Sequence, residues 1–350
     1  VTLPSNTQRK RLVAVVVTHN RLNKLKPTLQ RLLEANPAHL QAVVVVNNAS
    51  TDNTADWLAT CEEAQLEIVT SDENLGGAGG FDLGLRHAVR QFDPDWVVVM
   101  DDDARPLPGA LEAFHARPRR DDTAYAAAVY FPDGRICEMN RPSVNPFWNA
   151  RLFLRALIRG RDGYHIPYEA YEAETPCPID LTSFVGLFLS RRIIAETGYP
   201  DPGLFLYGDD VIYTLTLRRR GLKILFDPAL RFEHDFSTFQ AQGAQIIRPM
   251  WKAYYFCRNR LLMYRKAAPA VFWLLLPLLG LKWRLEAGRY GQEKPLYRRL
   301  LRRALRDAVT RNTTLSHAQV MALAGDPISG SGYPDGNDPA GSDPSAKSTG

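Results

Sequence analysis

Trp96-Val97-Val98-Val99-Met100-Asp101-Asp102-Asp103 is the stretch on which the fold of this chain turns. Five apolar residues after the turn Asp93-Pro94-Asp95 read as a buried strand, and three carboxylates follow at its end. Adjacent carboxylates repel one another and are costly to hold together unless a cation neutralises them. Their oxygens suit Mg²⁺ or Mn²⁺, the ions that usually accompany phosphate groups. In α/β sheets, ligands bind beyond the carboxyl ends of the strands. For an isolated acidic triplet a solvated loop is the better reading, so its surroundings have to decide.

Those surroundings alternate strand and helix. Leu12–Val17 predicts a strand and Lys24–Ala35 a helix. Ala42–Val46, all alanine and valine, predicts a second strand covered on both faces. Ser50, Thr51 and Asp52 offer N-caps for a helix running to about Ala64, and Leu66–Val69 predicts a third strand. A glycine-rich turn then leads into a helix over Phe81–Phe92, before the Trp96 strand. This βαβαβαβ order predicts a mainly parallel sheet flanked by helices, an α/β fold.

Each of the four strands ends in polar groups. They are Thr18-His19-Asn20-Arg21, then Asn47-Asn48 with Asp52, then Asn74 followed by Gly76, Gly77, Gly79 and Gly80, and finally the acidic triplet. Singly, such residues are turn and capping residues. Repeated at four strand ends on one sheet edge, they outline a nucleotide crevice. The glycines do not form a dinucleotide fingerprint, because Asp82 stands at the third glycine position and the stretch follows the third strand. No P-loop pattern is present either. Glycines here let the backbone approach a sugar or phosphate, with the following helix N-terminus favouring negative charge.

Composition bounds the rest. The 350 residues carry a net charge of +5, with 45% hydrophobic and 23% charged residues, values of a globular protein. Cys61, Cys137, Cys177 and Cys257 form no CxxC pair, so a reducing compartment is the simpler expectation. The apolar run at Leu12–Val17 is too short for a signal-peptide core, which makes the first two-thirds of the chain expected cytoplasmic sequence.

Taken together and in order, the four strand-end motifs and Gly208-Asp209-Asp210 resemble the inverting family 2 glycosyltransferases of the GT-A fold, from about Leu12 to Lys266. The segment Gly76–Phe81 looks like that of galactofuranosyltransferases, with rhamnosyltransferases close by. Many members carry Asp where Asn47 stands, and an amide can still face a base edge. The resemblance implies a donor site of Thr18, Asn20, Arg21, Asn47, Asn48, Asp52, Asn74, Gly76, Gly77, Asp82, Asp101 and Asp102. It also implies a divalent metal, Mn²⁺ or Mg²⁺, held on the donor diphosphate by Asp101 and Asp103, with His234 as a third ligand. The alternative for His234 is a surface histidine paired with Glu233 or Asp235. Asp210 is implied as the general base, with Asp209 orienting the acceptor or supporting the loop. Both would lie in the first turn of a helix over Val211–Arg220, where the helix dipole favours carboxylates.

Between these motifs, residues 130–180 are rich in aromatics, and flat rings stack on sugars. Trp148, Ser183, Phe184, Gly186 and Tyr207 are the candidate acceptor contacts, with Thr182–Ser190 read as a strand returning to the sheet. Core aromatics beneath a long insertion are the alternative.

The C-terminal third differs in character. Trp251–Lys266 reads as a basic amphipathic helix, and Ala267–Leu281 is almost wholly apolar but shorter than a span of roughly 20 residues. Residues 282–311 then hold ten Lys/Arg against three acids. An apolar patch followed by a basic helix fits interfacial attachment to an anionic leaflet; a helix packed on the catalytic domain is the alternative. No nucleic-acid module accompanies the arginines, so nucleic acid is not an expected partner. The expected organisation is a flexible N-terminus over 1–10, a GT-A domain over 11–245, a membrane-associating helical region over 246–320 and a disordered tail over 325–350.

The function expected is metal-dependent inverting transfer of galactofuranose from UDP-galactofuranose to a glycan or lipid-linked glycan, by a protein peripheral on the inner face of the cell membrane. A rhamnosyltransferase using dTDP-rhamnose is the nearest alternative. A nucleotidyltransferase would carry a G-x-G-T-R loop after the first strand, where Thr18-His19-Asn20-Arg21 stands instead. A non-catalytic, membrane-associated sugar-nucleotide binder is the alternative of another class, and it would have no use for a base at Asp210.

Overall fold

The computed structural model describes residues 10–235 and 246–325. The expected flexible N-terminus up to residue 9 and the tail beyond Gly325 lie outside the described residues. Strands β1 (Leu12–Thr18), β2 (Ala42–Asn48), β3 (Leu66–Ser71) and β4 (Trp96–Asp101) form a parallel block in the order β3-β2-β1-β4. Every residue of β1 and β2 is buried, which is why both consist almost wholly of alanine and valine before their polar ends. The parallel arrangement brings Thr18, Asn47 and Asp101 to one edge of the sheet.

Beyond β4 the sheet becomes mixed. β5 (Ala104–Pro106), β6 (Thr123–Tyr130), β7 (Cys177–Ile179), β8 (Leu187–Ser190) and β9 (Lys223–His234) extend it as β4-β8-β6-β9-β5, with β7 pairing β9. β8 runs antiparallel to β4 and β6, whereas β6 and β9 are parallel. β5 lies antiparallel to the end of β9, with Ala104 opposite His234, and this pairing brings the histidine back to the acidic triplet. The returning strand expected over Thr182–Ser190 is shorter than its apolar pattern: Leu187–Ser190 pairs with β4, and Leu187 and Phe188 also with β6.

Helices cover both faces. α1 (Leu22–Leu33), α2 (Thr54–Leu58) and α4 (Ala110–Ala116) pack beneath the even residues of β1, and α3 (Gly76–Phe92), α6 (Arg191–Thr197) and α7 (Asp209–Arg219) beneath the odd ones. α2 stops at Leu58, six residues short of the expected end, because the polar residues that follow offer no apolar face to bury. The expected glycine-rich turn is the first turns of α3 itself. A Cβ at Gly84 would stand 2.5 Å from Val15 Cγ1 and 2.8 Å from Val46 Cγ2, and one at Gly80 would collide with Val17. These glycines let the helix lie close on β1 and β2.

α5 (Ala150–Arg159) projects from the long segment between β6 and β7. The chain ends in α8 (Trp251–Ala267), α9 (Pro269–Glu286), α10 (Lys294–Thr310) and α11 (His317–Ala324), which share a core of their own with Phe205. α8 is not the surface helix that its basic residues suggest: Tyr254, Tyr255, Arg258 and Asn259 are all buried. No helix among the described residues is long and apolar enough to cross a membrane.

Candidate active site

Thr18, Arg21 and the acidic triplet meet at the carboxyl ends of β1 and β4. Thr18 Oγ1 donates to Asp102 Oδ2 at 2.8 Å. Arg21 spans two carboxylates, Nη1 to Asp102 Oδ1 at 2.9 Å and Nη2 to Asp103 Oδ2 at 2.5 Å. Asp102 is thereby committed to the protein, and burial pushes it up to about 7 against the pull of Arg21. Burial also raises Asp101, and the charge of Asp103 adds to it. Burial would raise Asp103 too, but the hydrogen bond and charge of His234, with those of Arg21, outweigh it and take Asp103 down to about 2.

His234 is buried at the end of β9, and its Nε2 is 3.1 Å from Asp103 Oδ1. Asn140 Oδ1 lies 2.8 Å from His234 Nδ1, and Asn140 Nδ2 donates to Ser183 Oγ at 2.8 Å. An amide oxygen and a carboxylate can only accept, so both ring nitrogens carry protons here. Against burial, the Asp103 carboxylate raises His234 to about 10. A divalent cation would take the place of the Nε2 proton while Asn140 keeps Nδ1–H. One ligand atom from each of Asp101, Asp103 and His234 lies within 4.8 Å of the others. Two carboxylates and an imidazole, with the imidazole oriented from behind, fit a divalent cation, and the nitrogen favours Mn²⁺ over Mg²⁺. Asn140 was beyond sequence reasoning: it lies in a loop with no motif, and only the fold brings it to the histidine.

The other strand ends brace one another. Asn48 Nδ2 donates to Gly76 O at 3.0 Å while its Oδ1 accepts from Leu75 N at 2.8 Å, tying β2 to the start of α3. Asn74 Oδ1 accepts from Gly76 N, and Asn47 Oδ1 from Ser50 N. Asn20 Oδ1 accepts from Thr51 N at 2.6 Å, and Asp52 Oδ1 from Thr54 N at 3.0 Å. Gly77 has open space where a side chain would be. Asp82, one turn further along α3, pairs with Arg86 at 2.8 Å and is not brought to the triplet.

Asp209 and Asp210 open α7 after a contorted loop. Phe205 (φ 62°, ψ −63°) and Tyr207 (φ 71°) hold positive φ, a conformation that costs about 1–3 kcal/mol per residue. The loop is held from α8. Asn259 Nδ2 donates to the carbonyls of Leu204 (2.8 Å), Leu206 (2.7 Å) and Tyr207 (3.1 Å), and Arg258 Nη2 to those of Gly203 (2.6 Å) and Leu204 (3.1 Å). Asp210 Oδ1 accepts from Val211 N at 2.7 Å. Burial pushes Asp210 up to about 6 against that hydrogen bond, with the charge of Asp101 adding to the rise. Asp209 is raised well above the carboxylate range by burial and by Asp210.

Asn259→Ala leaves the part-buried carbonyls of Leu206 and Tyr207 without this donor, each worth about 1–3 kcal/mol at most, while the Leu204 carbonyl keeps Arg258. It is expected to lower stability by about 2 kcal/mol in urea unfolding and to cut kcat about 10–100-fold, with donor affinity unchanged in calorimetry. A kcat equal to wild type would show that the loop needs no clamp.

Among the candidate acceptor contacts, Ser183 joins the Asn140–His234 chain. Phe184 is buried edge-on between Phe81 and Tyr213. Gly186 (φ 70°) would press a Cβ on Ala127 at 2.6 Å. Tyr207 is exposed, two residues before Asp209. Trp148 lies 5.9 Å over Arg218, eight residues along α7 from Asp210 and so about 12 Å away along the axis.

The glycosyl transferase family 2 model matches residues 13–169. Galactofuranosyltransferase GlfT1 of Mycobacterium tuberculosis is 32% identical over 211 residues, 60% of this chain and 65% of that one, so the likeness stops short of two-thirds of its length. The undecaprenyl-phosphate mannosyltransferase of Micrococcus luteus is 30% identical over 241 residues, 67% of this chain and 88% of that one. A crystal structure of GalNAc-T7 with UDP, GalNAc and Mn²⁺ shares the fold, with a TM-score of 0.52 at 11% identity over 88% of this chain and 57% of that one. A likeness running through nearly the whole mannosyltransferase, with the family model over the first four strands and their ends, makes the chain a member of glycosyl transferase family 2, with the GT-A fold.

Proposed function

We propose that the chain is a metal-dependent, inverting transferase that moves galactofuranose from UDP-galactofuranose onto a hydroxyl of a lipid-linked glycan at a membrane surface. The observation that carries the mechanism is the pairing of the Asp101–Asp103–His234 cluster with a partly buried carboxyl, Asp210, raised to about 6. A divalent cation held by Asp101, Asp103 and His234 supplies electrostatic stabilisation for the departing diphosphate. Asp210 takes the proton of the acceptor hydroxyl on Oδ2, since Oδ1 is held by Val211 N. Attack from the face opposite the diphosphate inverts the anomeric centre. Arg21 and Thr18 hold Asp102 and Asp103 in place. The strand ends from Asn20 to Gly77 shape the nucleotide side, and Ser183 and Tyr207 lie on the acceptor side.

The donor sugar is supported by the likeness to a galactofuranosyltransferase and by the glycines of α3. Peripheral attachment at the inner face is supported by two helices. In α9, Trp273, Leu274, Leu278, Leu281 and Leu285 are each more than half exposed, and in α5 so are Leu154, Leu157 and Ile158 beside Arg151, Arg155 and Arg159. The boundary between catalytic and membrane-facing parts is drawn at about residue 245, beyond which the helices build a separate core. The mannosyltransferase likeness favours a second reading, transfer of a hexose to a polyprenyl phosphate.

Calorimetry with UDP, TDP and GDP, each with and without Mn²⁺, tests the donor. Binding of UDP only with Mn²⁺ is the expected result. Preference for TDP would move the donor to dTDP-rhamnose and preference for GDP to the second reading. Nucleotide binding indifferent to metal would remove the proposed role of the triplet.

A further inference from the structure

A cavity of about 460 Å³ lies behind the aspartate loop, between α7, the end of α8 and the residues that follow α10. Arg219, Arg265, Lys266 and Arg311 line it, against only Asp201 and Asp209. Among the described residues, none of the four cations forms an ion pair with a carboxylate; Arg265 instead donates to the carbonyls of Ala308 and Val309, at 3.1 and 2.5 Å. Arg219 and Arg311 reach the cavity from its exposed rim and Arg265 and Lys266 from its half-buried wall, so four cations face two carboxylates around one space. Burial lowers Lys266, and the charges of Arg219, Arg220 and Arg311 lower it further. Burial and Arg311 do the same to Arg265. A bound anion would relieve that repulsion.

The surroundings narrow the anion. Pro269, the first residue of α9, belongs to the cavity wall, and the Arg265 guanidinium stands 5.1 Å from the ring of Phe272 and 5.6 Å from that of Trp273. The exposed apolar row of α9 therefore begins at the mouth of the basic cavity. At the other end the wall is Asp209, the neighbour of Asp210. Arg219 lies ten residues along α7 from Asp209, about 15 Å, which leaves room for sugar between the cations and the proposed base.

We propose that this cavity binds the diphosphate of a lipid-linked acceptor, through Arg219, Arg265, Lys266 and Arg311, with the hydrocarbon running over α9 and the glycan reaching Asp210. Guanidinium and ammonium groups form charge-assisted hydrogen bonds to phosphate oxygens, and arginine does so bidentately. The assignment rests on the reading of the chain as a transferase with a lipid-linked acceptor, and it deepens that reading by naming the acceptor's anchor.

The test is calorimetry on the full chain in EDTA, without nucleotide, using inorganic pyrophosphate and farnesyl diphosphate as probes. Farnesyl diphosphate is expected to bind at least about tenfold more tightly than pyrophosphate, because its chain buries on α9. Lys266→Gln with Arg311→Gln is expected to weaken both probes about 10–100-fold. Trp273→Ser with Leu274→Ser is expected to remove the farnesyl advantage alone. Far-ultraviolet circular dichroism and the urea midpoint, measured on each variant, report that it is folded. Unchanged affinity in the lysine–arginine variant would overturn the site. Equal affinity for both probes in the wild type would leave a site for free diphosphate and overturn the lipid part. Because neither metal nor donor is present, failure here leaves the donor reading standing, and failure of the nucleotide titration leaves this site standing.

Discussion

Asp210→Asn is expected to lower kcat about 10²–10⁴-fold, the span general-base catalysis usually contributes, while metal-dependent UDP binding stays at the wild-type value. The substitution keeps the shape of the side chain and lets an amide oxygen still accept from Val211 N. It removes only the capacity to take a proton. Burial sets the Asp210 carboxyl at about 6, so in the wild type kcat/KM is expected to rise with pH through about 6 and level off above it, since the deprotonated form is the working one. In the Asn variant the residual rate is expected to lose that limb. A pH–rate series on both proteins therefore reads the same group twice. Asp209→Asn is the companion measurement. Asp209 is raised as well, by burial and by the charge of Asp210, and it lines the cavity on the far side of the loop. Its loss is expected to cost less than that of Asp210. If Asp209→Asn silenced the enzyme and Asp210→Asn did not, the roles of the two would have to be exchanged.

The parallel half of the fold was legible because β1, β2 and β4 are buried on both faces and write that burial as runs rich in valine, while β3 at the sheet edge is only half-buried. The antiparallel half was not. β5 and β7 are three residues each, and what makes them strands is their pairing with β9, more than forty residues away in sequence. The glycines before Phe81 carried a true signal under a wrong local reading. They were taken for a turn, but Gly80 and Gly84 are small because α3 lies against Val15, Val17 and Val46, a reason that exists only once the sheet is formed. The site divides in the same way. Asp101, Asp103 and His234 could be named from motifs, and the fold does assemble them. Asn140 and Asn259 could not, because each works through one amide aimed at a partner more than fifty residues away. Arg258 was hidden for a related reason: it stands in what reads as a basic amphipathic helix, yet it is fully buried, donating to the Gly203 and Leu204 carbonyls and to the Tyr254 hydroxyl.

Replacing Asp103 by Asn is expected to be the most damaging single change to metal binding, and the three members of the triplet are expected to differ. Asp103 is shared three ways: Oδ2 holds Arg21, Oδ1 holds His234, and the carboxylate is one of three ligand groups. Losing its charge removes a ligand and releases the histidine that Asn140 orients from behind. Mn²⁺ affinity, followed by electron paramagnetic resonance of the free ion, is expected to fall more than about 100-fold, beyond the 10–100-fold typical of an outer partner such as Asn140. Asp102→Asn is expected to change it far less, because Asp102 is already bound to Thr18 and Arg21 and points its charge at them. UDP binding should follow the metal in each variant. The informative failure is an Asp103→Asn protein that binds Mn²⁺ as the wild type does. Arg21, which already bridges Asp102 and Asp103, would then be the cation the triplet was built around, and the diphosphate would be met by a guanidinium in place of a metal.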